Sequence, residues 1–152
     1  MIITTATACD IDAIMPVMAS SFDPQYGEAW TLAQCVGMLS LPGSWLLVAQ
    51  AKGRTIGFAL SRIIVDEAEL LLLAVTRTNQ HAGIGSALLT HVLDDARKRG
   101  ANRLYLEVRS NNGARDFYTN HGFVACGERQ NYYRGIAGQL TNAVTLSRQI
   151  SF

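Results

Sequence analysis

Two stretches of this sequence carry residue types that could do chemistry. The first is "RLYLEV", 103–108, with Glu107 near its end. Leu104, Leu106 and Val108 alternate with Tyr105 and Glu107, the pattern of a strand whose two faces differ. A carboxylate in the middle of a sheet is costly unless it is paired or used. Two readings follow: an ion pair with Arg109 or Arg129, or an acid–base group. The second stretch is "NQHAGIGSALL", 79–89, where a polar run turns into a helix at Gly83 and Gly85. Unpaired N–H groups and the helix dipole favour an anion there, and glycines without a Cβ let a phosphate approach. The alternative is that the glycines only relax the start of the helix.

Two nucleotide-site patterns are absent from that turn. A P-loop needs Gly-Lys-Ser/Thr at the helix start, but Gly85 is followed by Ser86 and Ala87. A dinucleotide fingerprint needs a glycine where Leu88 stands. What remains is Gln-x-x-Gly-x-Gly, Gln80 to Gly85, directly after the apolar run "LLLLAV" at 70–75.

The elements around these stretches must position them. The chain has 152 residues, 49% of them apolar and 16% charged, enough for one domain with a real core. A single domain over 1–152 is expected. The formal net charge of +1 gives no electrostatic reason to expect nucleic-acid binding. The cysteines Cys9, Cys35 and Cys126 are odd in number and lack metal-ligand spacing, so reduced thiols and no metal are expected. Cys126 is the best candidate for a covalent alternative. Neither a signal segment nor a membrane-length apolar run occurs, so a cytoplasmic location is expected. The sequence leaves the oligomeric state open, and a monomer is compatible with it.

Apolar alternation predicts a first strand at "IITTAT", then a helix with Ile11, Ile14, Met15 and Met18 on one face, capped by Thr7 or Asp10. A second helix starts at Thr31. Residues 45–75 read as three strands, with turns at Lys52-Gly53 and near Asp66-Glu67. "LLLLAV" is continuously apolar, like a strand buried on both faces. The helix after the glycines lays Ile84, Leu88, Val92 and Ala96 on one side and ends at Gly100. With the strand at 103–108 it makes a parallel βαβ unit. A helix at 114–121 and strands near 123–129 and 143–150 complete an α/β fold with a mixed sheet.

With its motif and order of elements, nearly the whole chain resembles the Gcn5-related N-acetyltransferase (GNAT) superfamily. The resemblance implies the GNAT fold: a mostly antiparallel central sheet, a splayed parallel strand pair and flanking helices. It also implies acetyl-CoA as cosubstrate. The pyrophosphate would lie on Gln80, His81, Ala82, Gly83, Ile84, Gly85 and Ser86, and the pantetheine arm on the backbone of Leu73, Ala74 and Val75. "LEVRSNNGARDFYTNHGF" at 106–123, with "YGEAWT", "VDEAEL" and "RQNYYR", resembles the RimI-type branch of ribosomal-protein alanine N-acetyltransferases. That branch implies Glu107 as base and Tyr118 as acid. By itself, Tyr118 in "DFYTNHGF" would read as core packing.

The branch also implies a CoA-contacting asparagine. The loop after Arg109 is one residue shorter than usual, and Asn111 keeps the branch distance to Ala114, Phe117 and Tyr118. Asn111 is therefore assigned in preference to Asn112. By analogy, Tyr26 and Trp30 lie on one side of the acceptor and Tyr132 and Tyr133 on the other. The implied acceptor is a protein N-terminus, that of alanine in a small-subunit ribosomal protein. Where the branch often has an acidic residue before Ala, this chain has Asn142 before Ala143. The same chemistry would serve a small amine or a lysine side chain, and a catalytically inactive CoA-binding module is the non-enzyme alternative. An acid belongs in such a site because an amine attacks a thioester only when deprotonated. An N-terminal amine has a pKa near ~8, against about 10.4 for lysine, and a carboxylate can take its proton directly or through water.

Overall fold

A computed structural model describes residues 1–150. Seven strands form one sheet: β1 Ile2–Ala6, β2 Ser44–Ala51, β3 Arg54–Ile64, β4 Glu67–Val75, β5 Arg103–Arg109, β6 Val124–Arg134 and β7 Leu140–Gln149. Their spatial order is β1-β2-β3-β4-β5-β7-β6. Every neighbouring pair is antiparallel except β4 and β5. The helices are α1 Met15–Ser21, α2 Leu32–Leu39, α3 Ile84–Lys98 and α4 Ala114–Asn120. This is the mixed α/β architecture with one parallel pair that the sequence implied.

The sheet separates two cores. Leu88, Leu89, Val92 and Ala96 of α3 pack against Leu47, Leu104 and Leu106 on one side, with Tyr118 and Phe123 at the end. Ile14, Met18 and Cys35 pack against Leu46, Phe58, Leu60 and Leu72 on the other. Helix α3 is amphipathic in the expected register: Ile84, Leu88, Val92 and Ala96 are all buried. It stops where Gly100, at φ +93°, allows a left-handed turn, and Ala101 N–H reaches back to the Ala96 carbonyl at 2.9 Å.

Several boundaries differ from the sequence reading. The first helical segment is a 3-10 stretch over Ala8–Ile14, and only Met15–Ser21 is α-helical. Its start is held by the Asp10 carboxylate, which accepts from Thr7 N–H at 2.9 Å. The β3–β4 turn is one residue earlier than expected, at Val65 and Asp66, with β4 beginning at Glu67. The last two strands are longer than their apolar patterns because β6 is an edge strand, exposed along nearly all its length. Such a strand has no buried face to print on the sequence.

The decisive irregularity lies in β4. Leu60 pairs with Leu72 and Ser61 with Leu70, so Leu71 is an extra, unpaired residue. The slip changes which residues face which core. Ala68 and Leu70 pack on the α3 side, whereas Leu72 and Ala74 pack on the α1/α2 side. Four consecutive leucines hide this change of phase. On the other edge of β4, parallel pairing with β5 runs from Glu67/Arg103 to Leu70/Leu106 and then stops. Beyond that point the two strands part.

Candidate active site

The gap between the parted strands is the floor of a cleft of about 820 Å³. Its walls bring together Leu70–Val75 of β4, the turn residues Gln80, His81, Gly83, Gly85 and Ser86, Glu107 of β5 and Tyr118 of α4. Glu28, Trp30, Tyr132 and Tyr133 line it as well, from segments far apart in sequence. A volume of this size suits a small-molecule site rather than a surface dimple.

The end of the cleft at the glycine turn is built by local geometry. Gly83 precedes α3 at φ +82°, a left-handed conformation that costs glycine little. The opening helical bond runs from Ala87 N–H to the Gly83 carbonyl at 3.0 Å, so the amides of Ile84, Gly85 and Ser86 precede any intrahelical acceptor. A Cβ on Gly85 would meet Phe117 only at 3.5 Å, an ordinary contact. Packing inside the protein therefore does not demand glycine there, whereas an anion held against the amides would. His81, at φ +63°, bends the chain before the helix. Ile84 points its side chain into the core, so only its backbone is available, and Ala82 is exposed outside the cleft lining.

The turn is tied to the end of β4. Gln80 Nε2 donates to the Val75 carbonyl at 3.1 Å, Ser21 Oγ donates to the same carbonyl, and Arg77 N–H donates to Ser20 Oγ at 2.9 Å. Thr76 N–H donates to the Ile56 carbonyl of β3 at 2.8 Å. Main-chain groups alternate in direction along a strand. Leu73 and Val75 therefore turn their N–H groups toward the gap. Ala74, the third residue assigned to the pantetheine arm, directs its backbone into the β3 ladder and cannot hydrogen-bond across the gap.

At the other end the acid–base candidates meet. Glu107 is half-buried, and its Oε1 lies 3.1 Å from Arg129 Nε. Of the two ion-pair partners considered from sequence, Arg129 is therefore the one in contact. Its side chain is 61% exposed, so this pair is open to water and easily exchanged. Tyr118 is buried against Phe117 and Phe123. Burial, and secondarily the Glu28 carboxylate, push its phenol far above the usual tyrosine range. Tyr133 is raised in the same way, by burial first and then by Glu28 and Glu107. Its hydroxyl makes a long contact of 3.5 Å with the Glu107 carbonyl.

Arg109 takes a different partner. Its Nε donates to Glu28 Oε1 at 3.1 Å, with the two side chains only 12% and 11% exposed. Its guanidinium also lies 3.5 Å from the centre of the Tyr26 ring, and Asn112 Nδ2 donates to Glu28 Oε2 at 3.3 Å. Tyr26 thus supports Arg109 and does not itself line the cleft. Asn111 is exposed and accepts from Arg109 Nη1 at 2.8 Å, away from the cleft lining. The asparagine on the cleft wall is Asn112, whose Oδ1 also accepts from Ala114 N–H at 2.8 Å. None of the three cysteines lines the cleft.

The cleft lining also holds residues beyond the sequence candidates, the carboxylates Glu28 and Glu69 among them. Glu28 and Glu69 both sit inside stretches quoted for their family likeness, "YGEAWT" and "VDEAEL". For Glu69 the usable signal is a charge beside an apolar run, the same signal that draws attention to Glu107.

Comparison with known proteins decides the family. Residues 11–123 match the acetyltransferase (GNAT) family. The chain belongs to that family. It is 38% identical over 100 residues to the [ribosomal protein bS18]-alanine N-acetyltransferase of Escherichia coli strain K12, covering 65% of this chain and 67% of the relative. The crystal structure of the ribosomal-protein-S18-alanine N-acetyltransferase from Escherichia coli superposes with a TM-score of 0.87 at 28% identity, over 99% of this chain and 94% of that one. The fold is shared with yncA from Salmonella typhimurium, solved with its cofactor acetyl-CoA, at a TM-score of 0.80 and 19% identity over 100% of this chain and 95% of the other. A GNAT acetyltransferase moves acetyl from acetyl-CoA to an amine, and this GNAT chain is an N-acetyltransferase.

Proposed function

We propose that this enzyme acetylates the N-terminal amine of alanine on a small-subunit ribosomal protein, by direct transfer from acetyl-CoA. The observation that carries the reading is the convergence of Glu107 and Tyr118 on one cleft whose far end is a helix start with open amides. Similarity to the alanine N-acetyltransferases supports the choice of acceptor.

The chain's own groups fit the donor substrate. Open amides at Ile84, Gly85 and Ser86, with Gln80 and His81 beside them, suit a pyrophosphate. Leu73 and Val75 offer main-chain groups to an amide-bearing arm along the gap. Asn112 replaces Asn111 as the asparagine facing that arm. Trp30 and Tyr132, on opposite walls, frame the acceptor.

Acetyl-CoA supplies an activated thioester. Glu107 takes a proton from the acceptor ammonium and so frees the lone pair that forms the C–N bond; as the C–S bond breaks, the nitrogen sheds its second proton, which restores the donor of the sulfur's proton. The departing sulfur needs a proton, and Tyr118 holds one. Its raised phenol stays protonated through the physiological range, as a donor must. Alanine-terminated ribosomal peptide and acetyl-CoA, assayed for thiol release and mapped by mass, give one acetyl group on the α-amine. Acetylation confined to lysine side chains, or absent across several N-termini, would reject this acceptor.

A further inference from the structure

The β6 wall of the cleft depends on one bulge. On a regular strand, neighbouring side chains point to opposite faces. Tyr132 and Tyr133 are neighbours on β6, yet both line the cleft, and their ring centroids stand 5.1 Å apart at 85°. The pairing with β7 explains this. Arg129 pairs with Ala143 and Tyr133 with Thr141, so Gln130, Asn131 and Tyr132 all oppose the single residue Asn142. The chain bends at Asn131, whose φ of +54° lies in the left-handed region that asparagine tolerates better than most residues.

Asn142 holds both sides of this junction. Its side-chain Oδ1 accepts from Asn131 N–H at 2.9 Å, at the bend itself. Its carbonyl accepts from Ser110 N–H at 2.9 Å, where β5 runs out into the loop that carries Asn112. The residues that flank the bulge reach Glu107. Arg129 Nε lies 3.1 Å from its carboxylate, and the Tyr133 hydroxyl lies 3.5 Å from its carbonyl. Tyr132 stands between them, with the Arg129 guanidinium 5.2 Å from its ring centre. Its side chain is 50% exposed, too little buried for packing alone to fix its direction. The backbone beneath it must do so.

We propose that Asn142 is a positioning residue for the acceptor: its side-chain oxygen fixes the β6 bulge that turns Tyr132 into the cleft beside Tyr133. The proposal rests on the reading of Tyr132 as an acceptor wall. It also gives a use to the position at which this chain departs from the branch pattern. The hold requires an acceptor oxygen and no charge, which an amide supplies. Without that bond the Asn131 amide turns to water, and the bend loses the restraint that keeps Tyr132 aimed inward. Acceptor binding then weakens while the proton transfers at Glu107 and Tyr118 continue, so the effect falls on the acceptor KM and not on kcat.

The test compares Asn142→Leu, close in size but without the oxygen, with Asn142→Asp, which keeps it. Asn142→Leu is expected to raise the acceptor KM about fivefold, the scale of one lost hydrogen bond, with kcat and calorimetric acetyl-CoA affinity within about twofold. Asn142→Asp recovers most of that loss, which a side chain that only filled space would not do. Tyr132→Ala raises the acceptor KM by itself, and adding Asn142→Leu to it costs nothing further. Hydrogen exchange followed by NMR in the unliganded protein reports the hold without any substrate: the Asn131 amide exchanges faster in Asn142→Leu than in wild type. Should Asn142→Leu fail to fold, Asn142→Ala takes its place in every comparison. An unchanged acceptor KM, additive losses in the double variant, or equal exchange at Asn131 overturns the proposal. Should the alanine-terminated peptide fail while another amine is acetylated, the N-terminal reading falls, and the same KM series on that amine decides the role of Asn142.

Discussion

The two ends of the cleft are made by different kinds of structure. On the proposed reading the cofactor-facing end is local: β4, one turn and the first turn of α3 follow each other within residues 67–86. It offers backbone amides, set by a left-handed glycine and the geometry that any helix start has. The acceptor-facing end is assembled from afar. Glu28 of the loop after α1 meets Arg109 at the end of β5, Tyr132 and Tyr133 come from β6, and Arg129 crosses to Glu107. It offers side chains, and its shape depends on pairs more than 80 residues apart in the chain, as with the 81-residue separation of Arg109 and Glu28. A backbone site can persist while the sequence around it drifts. A side-chain site can change its ligand through single substitutions.

The sharpest way to separate the ends is to remove the proposed base while keeping its size. Glu107→Gln is expected to lower kcat by about 10²–10⁴-fold, the usual scale for a lost general base, while acetyl-CoA affinity stays near wild type. Single-turnover kinetics beside a binding titration check this. Equal activity in the variant would remove Glu107 from the mechanism.

Next in size is the nonlocal latch. Glu28→Ala leaves the Arg109 guanidinium without its partner at a position only 12% exposed. Unfolding stability should drop by about 3 kcal/mol, and Arg109→Met added to it should recover part of the loss. Urea unfolding of the two variants and the double variant closes the cycle. Additive losses would mean that the acceptor end does not depend on this pair.

Tyr118→Phe is expected to reduce kcat by about a hundredfold with little change in stability, because the ring still fills its place beside Phe117 and Phe123. The sign of its pH behaviour follows from the raised phenol. A donor that keeps its proton loses no activity as pH rises toward about 10, the ordinary tyrosine value. An alkaline limb well below that, present in wild type and abolished by Phe, would contradict the burial argument.

Gly85→Ala probes the local end alone. A helical Ala for Gly should stabilise the fold by roughly 0.5–1 kcal/mol, and the new Cβ meets Phe117 without a clash. It should nevertheless raise the KM for acetyl-CoA about tenfold and leave the acceptor KM unchanged. Thermal melts and two-substrate kinetics read both effects. The smallest effect belongs to Cys126→Ala, expected to leave turnover unchanged, since Cys126 is exposed on β6 outside the cleft. Lost turnover there would revive a covalent route.

The sequence by itself determined the elements whose signals are periodic or punctuated: α3 from its apolar stripe and Gly100, β5 from strict alternation, and the glycine turn from "GIG" after an apolar run. It also singled out Glu107, because one charge in an alternating apolar strand stands out against its neighbours. It could not show the bulge at Leu71, since leucines on both sides of the slip look alike. The slip is fixed by the unequal pairing of β3 and β4, a two-strand property. For the same reason the sequence could not choose between Arg109 and Arg129 as the partner of Glu107, or see that Asn112 and not Asn111 lines the cleft. Burial of β6 was illegible because an edge strand has almost none. The local end of the site was written along the chain. The acceptor end exists only where strands and loops from distant parts of the sequence are packed side by side.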